Sequence, residues 1–297
     1  MKRRQFITKS SLATAGIAIA STPLLSNNLF AANAAKIDKI GFQVYTVRNQ
    51  VRENLTDTLK QLSKAGYDYA EVYGLFGDSV MGHPVKDIKK EFKRAGIELR
   101  SAHCNTGTGS KNKGTFSNEW QMGVDVAAEL GITHTVCPHL GANERKTIDD
   151  YKKVAELMNK AGEISKKSGI QMGYHNHAFE FETLEGQIPF DVLAKEMDAD
   201  LVKFELDIYW AVKAKMDPIK LFETHAGRIN QWHVKDMSKV NEGMAEVGMG
   251  RIDWANLFTK AKQSGLTGFF VEQDRDWATS DVESLKTSAS FLTELEY

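Results

Sequence analysis

Two cysteines and five prolines in 297 residues are too few for a disulfide scaffold or a proline-rich chain. Cys104 and Cys137 each fall near the end of a different apolar run, and the expectation is two buried or cavity-lining thiols. An excess of one charge is also missing. The formal net charge is −1, from 38 Lys and Arg against 39 Asp and Glu, so a nucleic-acid backbone finds no basic surplus to bind. Past the N-terminal segment no apolar stretch approaches bilayer length, and the mature chain is expected to carry no membrane span. Nor does a G-x-G-x-x-G follow the first apolar run. Gly41-Phe42-Gln43-Val44-Tyr45 stands there instead, against a dinucleotide-binding open sheet.

The chain opens with Lys2-Arg3-Arg4-Gln5-Phe6, continues through a mildly apolar stretch from Ser10 to about Leu25, and reaches small residues at Ala32-Asn33-Ala34. A basic start, a short apolar middle and an A-x-A site predict a cleaved leader over 1–34. Its Arg3-Arg4-x-Phe6 pattern is of the twin-arginine type, which implies a periplasmic or otherwise exported protein. The absence of cysteine from this segment excludes lipid attachment there.

From Lys39 onward, short apolar runs alternate with amphipathic segments. The runs are 40–45, 69–73, 97–104, 133–138, 170–175, 202–207, 229–235 and 268–272. Between them Leu55, Leu59 and Leu62 share a helical face, as do Val154, Leu157, Ala161 and Ile164. Helices end at Ala65-Gly66, Ala95-Gly96, Ser168-Gly169 and Ser264-Gly265, where glycine supplies the left-handed cap. Eight βα units over 35–297 predict a single α/β domain, a (β/α)8 TIM barrel.

Function in such a barrel sits at the carboxyl ends of the strands. Tyr174-His175-Asn176-His177 puts two imidazoles one residue apart at the end of the fifth run, on one face if the strand continues. The other ends carry Gln43, Tyr45 and Arg48; Glu71; His103; Pro138-His139; Glu205 and Asp207; His233, Lys235 and Asp236; and Glu272 with Asp274. Charged groups are costly in buried strands without partners, so their convergence calls for a function. The expected ligands of one divalent metal ion are His175, Asp207, His233 and Glu272, with His177 in reserve. Mixed imidazole and carboxylate donors suit Mn²⁺, Co²⁺, Fe²⁺ or Zn²⁺. His83, His134 and His225 lie away from these ends and are expected to be structural or solvated.

Five segments carry a resemblance: Gly173-Tyr-His-Asn-His177, Glu205-Leu-Asp-Ile-Tyr-Trp210, Trp232-His-Val-Lys-Asp236, Val247-Gly-Met-Gly-Arg-Ile-Asp-Trp254 and Phe270-Val-Glu-Gln-Asp274. Together they resemble the xylose-isomerase-like barrels, which include sugar epimerases, inosose dehydratase and endonuclease IV. The resemblance to the ketose epimerases implies a metal held from strands five to eight by Glu, Asp, His and Glu, with the two glutamates exchanging protons. Asp207, His233 and Glu272 match that pattern, while His175 stands at the place of the first glutamate. Similarity to inosose dehydratases, with a Tyr-His-rich fifth strand and a His-x-Lys-Asp seventh, makes elimination the rival reaction. Endonuclease IV needs Asp-x-x-His and Asp-x-His where this chain has Asp207-x-x-Trp210 and Gln231-x-His233, so the nuclease reading falls away.

The resulting expectation is a metal-dependent isomerase or epimerase acting on an unphosphorylated sugar or keto-sugar. A lyase or dehydratase acting on a keto-sugar, keto-glycoside or cyclitol is the alternative, and a non-catalytic sugar-binding barrel the third reading. Glu272 is the first candidate base, with Lys235, Glu205 and His103 as further catalytic candidates. Glu71, Tyr45, Arg48, Trp210 and His177 are the expected substrate contacts. Trp232 and Trp254 join Tyr45 and Trp210 as expected stacking walls, and the alternative to a catalytic Lys235 is one that holds a phosphate or pairs with Asp236.

Overall fold

In a computed structural model that describes residues 35–297, the leader predicted over 1–34 lies outside the described residues. Eight strands occupy the eight apolar runs: β1 (Ile40–Gln43), β2 (Tyr67–Tyr73), β3 (Glu98–His103), β4 (His134–Cys137), β5 (Gln171–His175), β6 (Val202–Asp207), β7 (Ile229–Val234) and β8 (Gly268–Val271). All pair in parallel with their sequence neighbours. β8 closes on β1 through Gly41↔Phe270 and Phe42↔Val271, completing the (β/α)8 barrel. A parallel strand packed between barrel interior and helices is buried on both faces, and so reads as a continuous apolar run.

The helices that return the chain between strands include α1 (Arg48–Lys64), α2 (Val85–Ala95), α3 (Trp120–Leu130), α4 (Ile148–Lys166), α5 (Pro189–Glu196), α6 (Ile208–Lys213) and α7 (Pro218–Thr224). Two short turns of helix, α8 (Trp254–Phe258) and α9 (Ala261–Ser264), precede β8, and α10 (Asp281–Glu294) ends the chain. Within α1, Asn54 leaves helical geometry, and its side-chain oxygen caps the amide of Asp57, restarting the helix. Leu55, Leu59 and Leu62 of the restarted portion are buried. Each such side chain contributes about 1.5–3 kcal/mol of hydrophobic stabilisation. The glycines expected to end helices, Gly66, Gly96, Gly169 and Gly265, all adopt φ between +72° and +98°.

Trp232 and Trp254 do not face the barrel mouth. Trp232 alternates outward from its neighbour His233 and stacks on Phe222, while Trp254 lies buried with its indole N–H bonded to Asp236 Oδ2 at 2.9 Å. Both aromatic walls expected there are packing residues. Cys104 and Cys137 are buried and unpaired. No helix among the described residues is long and apolar enough to cross a membrane.

Gly41 sits where β1 passes closest to its neighbours. A Cβ there would overlap the Tyr69 ring and the Phe269 carbonyl, both fixed by the barrel. Gly41→Ala is therefore expected to destabilise the domain by about 1–3 kcal/mol in chemical denaturation, the usual cost of overpacking. Unchanged stability would mean that β1 can move outward from the ring.

Candidate active site

The strand ends build two layers of polar side chains. In the inner layer Glu71, His103, Glu205 and His233 are all buried. Glu71 Oε1 accepts from Gln43 Nε2 at 2.7 Å and His233 Nε2 at 2.8 Å, and its Oε2 accepts from Ser101 Oγ at 2.5 Å. His103 Nε2 lies 2.9 Å from Glu71 Oε1 and 3.0 Å from Glu205 Oε2. Burial pushes the His103 imidazole down, but the two carboxylates outweigh it and raise its pKa to about 9. The same imidazoles hold Glu71 far below the usual carboxylate range, against the opposing effect of burial.

Above this layer lie His175, Asp207 and Glu272; with His233, which joins the two layers, they bring donor atoms within 4.8 Å of one another. Their hydrogen bonds fix which nitrogens face inward. His175 Nδ1 is 3.0 Å from the Pro138 carbonyl and must donate to it, which turns Nε2 toward Asp207 Oδ2 at 3.3 Å. His233 Nε2 donates to Glu71, which turns Nδ1 toward Glu272 Oε2 at 2.8 Å. In the neutral imidazole each of these contacts sets a lone pair against an anionic oxygen. A proton or a cation between them resolves the conflict. Two nitrogens oriented by outer hydrogen bonds, with two carboxylates, fit a divalent transition metal.

Asp207 also caps α6: Oδ1 accepts the Trp210 amide at 2.9 Å while Oδ2 faces the cluster. Lys235, just past β7, is 1% exposed, and its Nζ lies 3.0 Å from Asp207 Oδ2, 2.7 Å from Glu272 Oε2 and 3.0 Å from Asp274 Oδ2. Burial opposes charge on all of these groups; attraction prevails at Lys235, raised well above its ordinary value, and at Asp207, lowered to about 2, whereas burial and the neighbouring Glu272 raise Asp274 despite the ammonium. Lys235 does not pair with Asp236. The Asp236 carboxylate instead accepts the amides of Met237, Gly248, Gly250 and Ile252 and the Trp254 indole, which gathers the 247–254 segment into one fixed loop.

A cavity of about 700 Å³ opens over this cluster. Tyr45, Arg48, His103, His177, Trp210, Lys235 and Glu272 line it, together with His175. Glu71 and Glu205 do not; both are fully buried in the inner layer. Glu71 also makes no pair with Arg48, whose guanidinium bonds the carbonyls of Tyr45 and Asp274. Asp274 and His139, noted in the sequence only as strand-end residues, line the cavity as well. The period of two that places Glu272 on the inner face also places Asp274 there, and that signal was legible. His177 Nδ1 and Trp210 Nε1 are buried without a protein hydrogen-bond partner among the described residues.

β5 stops at His175, so His177 belongs to the following turn rather than to the strand. Glu180 holds that turn. Its Oε2 accepts the His177 amide at 2.7 Å and its Oε1 accepts the Tyr174 hydroxyl at 2.8 Å. Burial raises its pKa from 4.5 to about 7, only partly offset by those two donors. A carboxyl whose folded value is raised favours folding while protonated, so this contribution is full below about 4.5 and is lost as pH rises through about 7. Across that interval the wild-type melting temperature is expected to fall relative to Glu180→Gln. Parallel pH–melting curves for the two proteins would remove Glu180 as the group responsible.

Comparison with known proteins places this arrangement. A sequence model described as xylose isomerase-like TIM barrel matches residues 59–295. An inosose dehydratase from Geobacillus kaustophilus (strain HTA426) is 24% identical over 257 residues, 75% of this chain and 80% of the relative. The crystal structure of a sugar phosphate isomerase/epimerase from Parabacteroides distasonis ATCC 8503 superimposes with a TM-score of 0.74 at 30% identity, covering 90% of this chain and 97% of that one. An IolI protein solved with a zinc atom shares the fold at a TM-score of 0.65 and 18% identity, over 85% of this chain and 96% of its own. With the closed barrel and the matched span together, the chain belongs to the xylose isomerase-like TIM barrel family.

Proposed function

We propose that the protein is an exported, metal-dependent lyase that eliminates water or an aglycone from an unphosphorylated keto-sugar, keto-glycoside or keto-cyclitol. One observation carries the choice of reaction. Where the resemblance to ketose epimerases calls for a second proton-transferring carboxylate, this chain has His175, with Nδ1 committed to Pro138 and Nε2 to Asp207. The cavity-lining carboxylates, Glu272 and Asp274, both stand past β8, and among the described residues no other strand end puts a carboxylate into the cavity. Elimination needs one base and one acid, whereas epimerisation needs proton transfer at both faces. Likeness to an inosose dehydratase supports the same choice. The twin-arginine pattern supports export, and with it a substrate without phosphate.

His175, Asp207, His233 and Glu272 are the residues that would hold the ion. When bound, it supplies Lewis-acid polarisation of the substrate carbonyl. Glu272, kept ionised by Lys235 and His233 against its burial, removes the proton from the carbon beside that carbonyl. His103 has both ring nitrogens engaged by protein groups, Nε2 by Glu71 and Glu205 and Nδ1 by Gln43 Nε2 at 3.3 Å, so the proton taken up by Glu272 is the one passed on to the departing oxygen. The Lys235 ammonium, fixed by three carboxylates, keeps Glu272 and Asp274 in place. Tyr45 and Trp210 offer apolar faces to the ring, and His177 lines the same cavity.

A second reading, isomerisation, is favoured by the name of the 30% identical relative and shares the first proton abstraction. Incubating metal-loaded protein with keto-sugars and keto-glycosides in D₂O separates the two. An unsaturated or aglycone-free product is expected; an isomerised or epimerised product with every substituent retained would establish isomerisation. Glu272→Gln should lower turnover about 10²–10⁴-fold and abolish exchange, the usual range for loss of a general base. Sugar binding without turnover, exchange or metal would leave a binding barrel in place of an enzyme.

A further inference from the structure

The two carboxylate oxygens that face the imidazoles are the same two that hold Lys235. Asp207 Oδ2 lies 3.3 Å from His175 Nε2 and 3.0 Å from Lys235 Nζ. Glu272 Oε2 lies 2.8 Å from His233 Nδ1 and 2.7 Å from Lys235 Nζ. The ammonium lies within 3.0 Å of three carboxylates, and the one it hydrogen-bonds is Asp274. A metal ion held by Asp207 and Glu272 draws on the same oxygens and brings two further positive charges next to the ammonium. At such separations like charges repel strongly in a buried site.

Asp274 alone of the three carboxylates is outside the candidate metal donor set. It stands two residues past Glu272, its side chain is 23% exposed, and it lines the cavity. The four-carbon stem of lysine is flexible enough to shift its charge toward one partner while keeping a hydrogen bond to it.

We infer that Lys235 is a built-in competitor for the metal ion, and that Asp274 is the acceptor that receives its ammonium when the ion binds. Without the ion, Lys235 neutralises Asp207 and Glu272; with the ion present, it pairs with Asp274 at the cavity wall. Metal affinity is therefore set by Lys235 and Asp274 acting together. This rests on the metal-site reading given above.

A double-mutant cycle tests it with Zn²⁺ as the probe, its affinity measured by competition with a chromophoric chelator and folding followed by circular dichroism. Lys235→Met should bind Zn²⁺ about tenfold or more tightly, on the scale seen for groups that surround metal ligands. Asp274→Asn should bind several-fold more weakly, because the ammonium then stays on Asp207 and Glu272. In the double variant the Asp274→Asn effect should vanish, leaving the affinity of Lys235→Met. Equal weakening by Asp274→Asn in both backgrounds is simple additivity and overturns the inference. So does wild-type affinity in Lys235→Met. If Lys235→Met folds only when Zn²⁺ is added, the ion has replaced the ammonium as predicted; if Zn²⁺ does not restore it, the inference fails. The metal site itself is checked separately: Zn²⁺ affinity unchanged by His175→Ala would remove that reading, and no Zn²⁺ binding by any folded variant would remove both.

Discussion

Compensation of buried negative charge is the constraint on which the barrel mouth depends. Glu71, Glu205, Asp207, Glu272 and Asp274 converge there, and the first three are fully buried. One ammonium, Lys235, and the imidazoles His103, His175 and His233 are the groups that answer them. Unpaired carboxylates in such a site would be too costly for a folded domain of ordinary stability. The tautomer of His233, the placement of Lys235 and the fit to a divalent ion all follow from this one requirement. The catalytic reading follows as well, since groups whose protonation is set by close neighbours are the ones able to move protons at neutral pH.

The architecture was legible because a parallel barrel writes itself plainly. Each strand is an apolar run between amphipathic helices, and each observed strand lies within its run or extends it by at most two residues, as Tyr67–Tyr73 does. Facing direction was legible too, since Glu205 and Asp207, or His233 and Lys235, share a face through the period of two. Depth was not. Residues two apart on a strand differ by roughly 6–7 Å along it, and which layer each joins depends on strand tilt and stagger around the closed barrel. For that reason Glu71 and Glu205, expected at the substrate, prove to lie beneath it. Trp232 was assigned to the cavity although its neighbour His233 already claimed the inward face. Pairing between distant segments was also hidden: nothing in the local sequence tells Lys235 to prefer Asp207, Glu272 and Asp274 over adjacent Asp236.

Two further carboxylates, Asp236 and Glu180, explain segments whose sequence had looked functional. Asp236 binds no cavity group, yet its two oxygens gather four backbone amides and an indole, and a side chain at Gly250 would collide with it. The glycine-rich run 247–254 thereby reads as the material of a fixed loop. Glu180 plays the matching part after β5, holding the turn that carries His177 against Trp210 and Phe179. Neither touches the proposed chemistry. Both determine where it happens.

The two imidazoles of the upper layer are oriented by different kinds of acceptor. His233 owes its tautomer to a side chain, Glu71, which a single substitution can remove. His175 owes its own to the main-chain carbonyl of Pro138, present whatever residue occupies that position. Orientation at His233 is thus open to mutational drift, whereas orientation at His175 is inherited with the path of the backbone. As descendants of this chain diverge, the fifth-strand imidazole should keep its bearing for as long as the barrel keeps its shape. The seventh-strand imidazole keeps its bearing only while the buried glutamate beneath it survives.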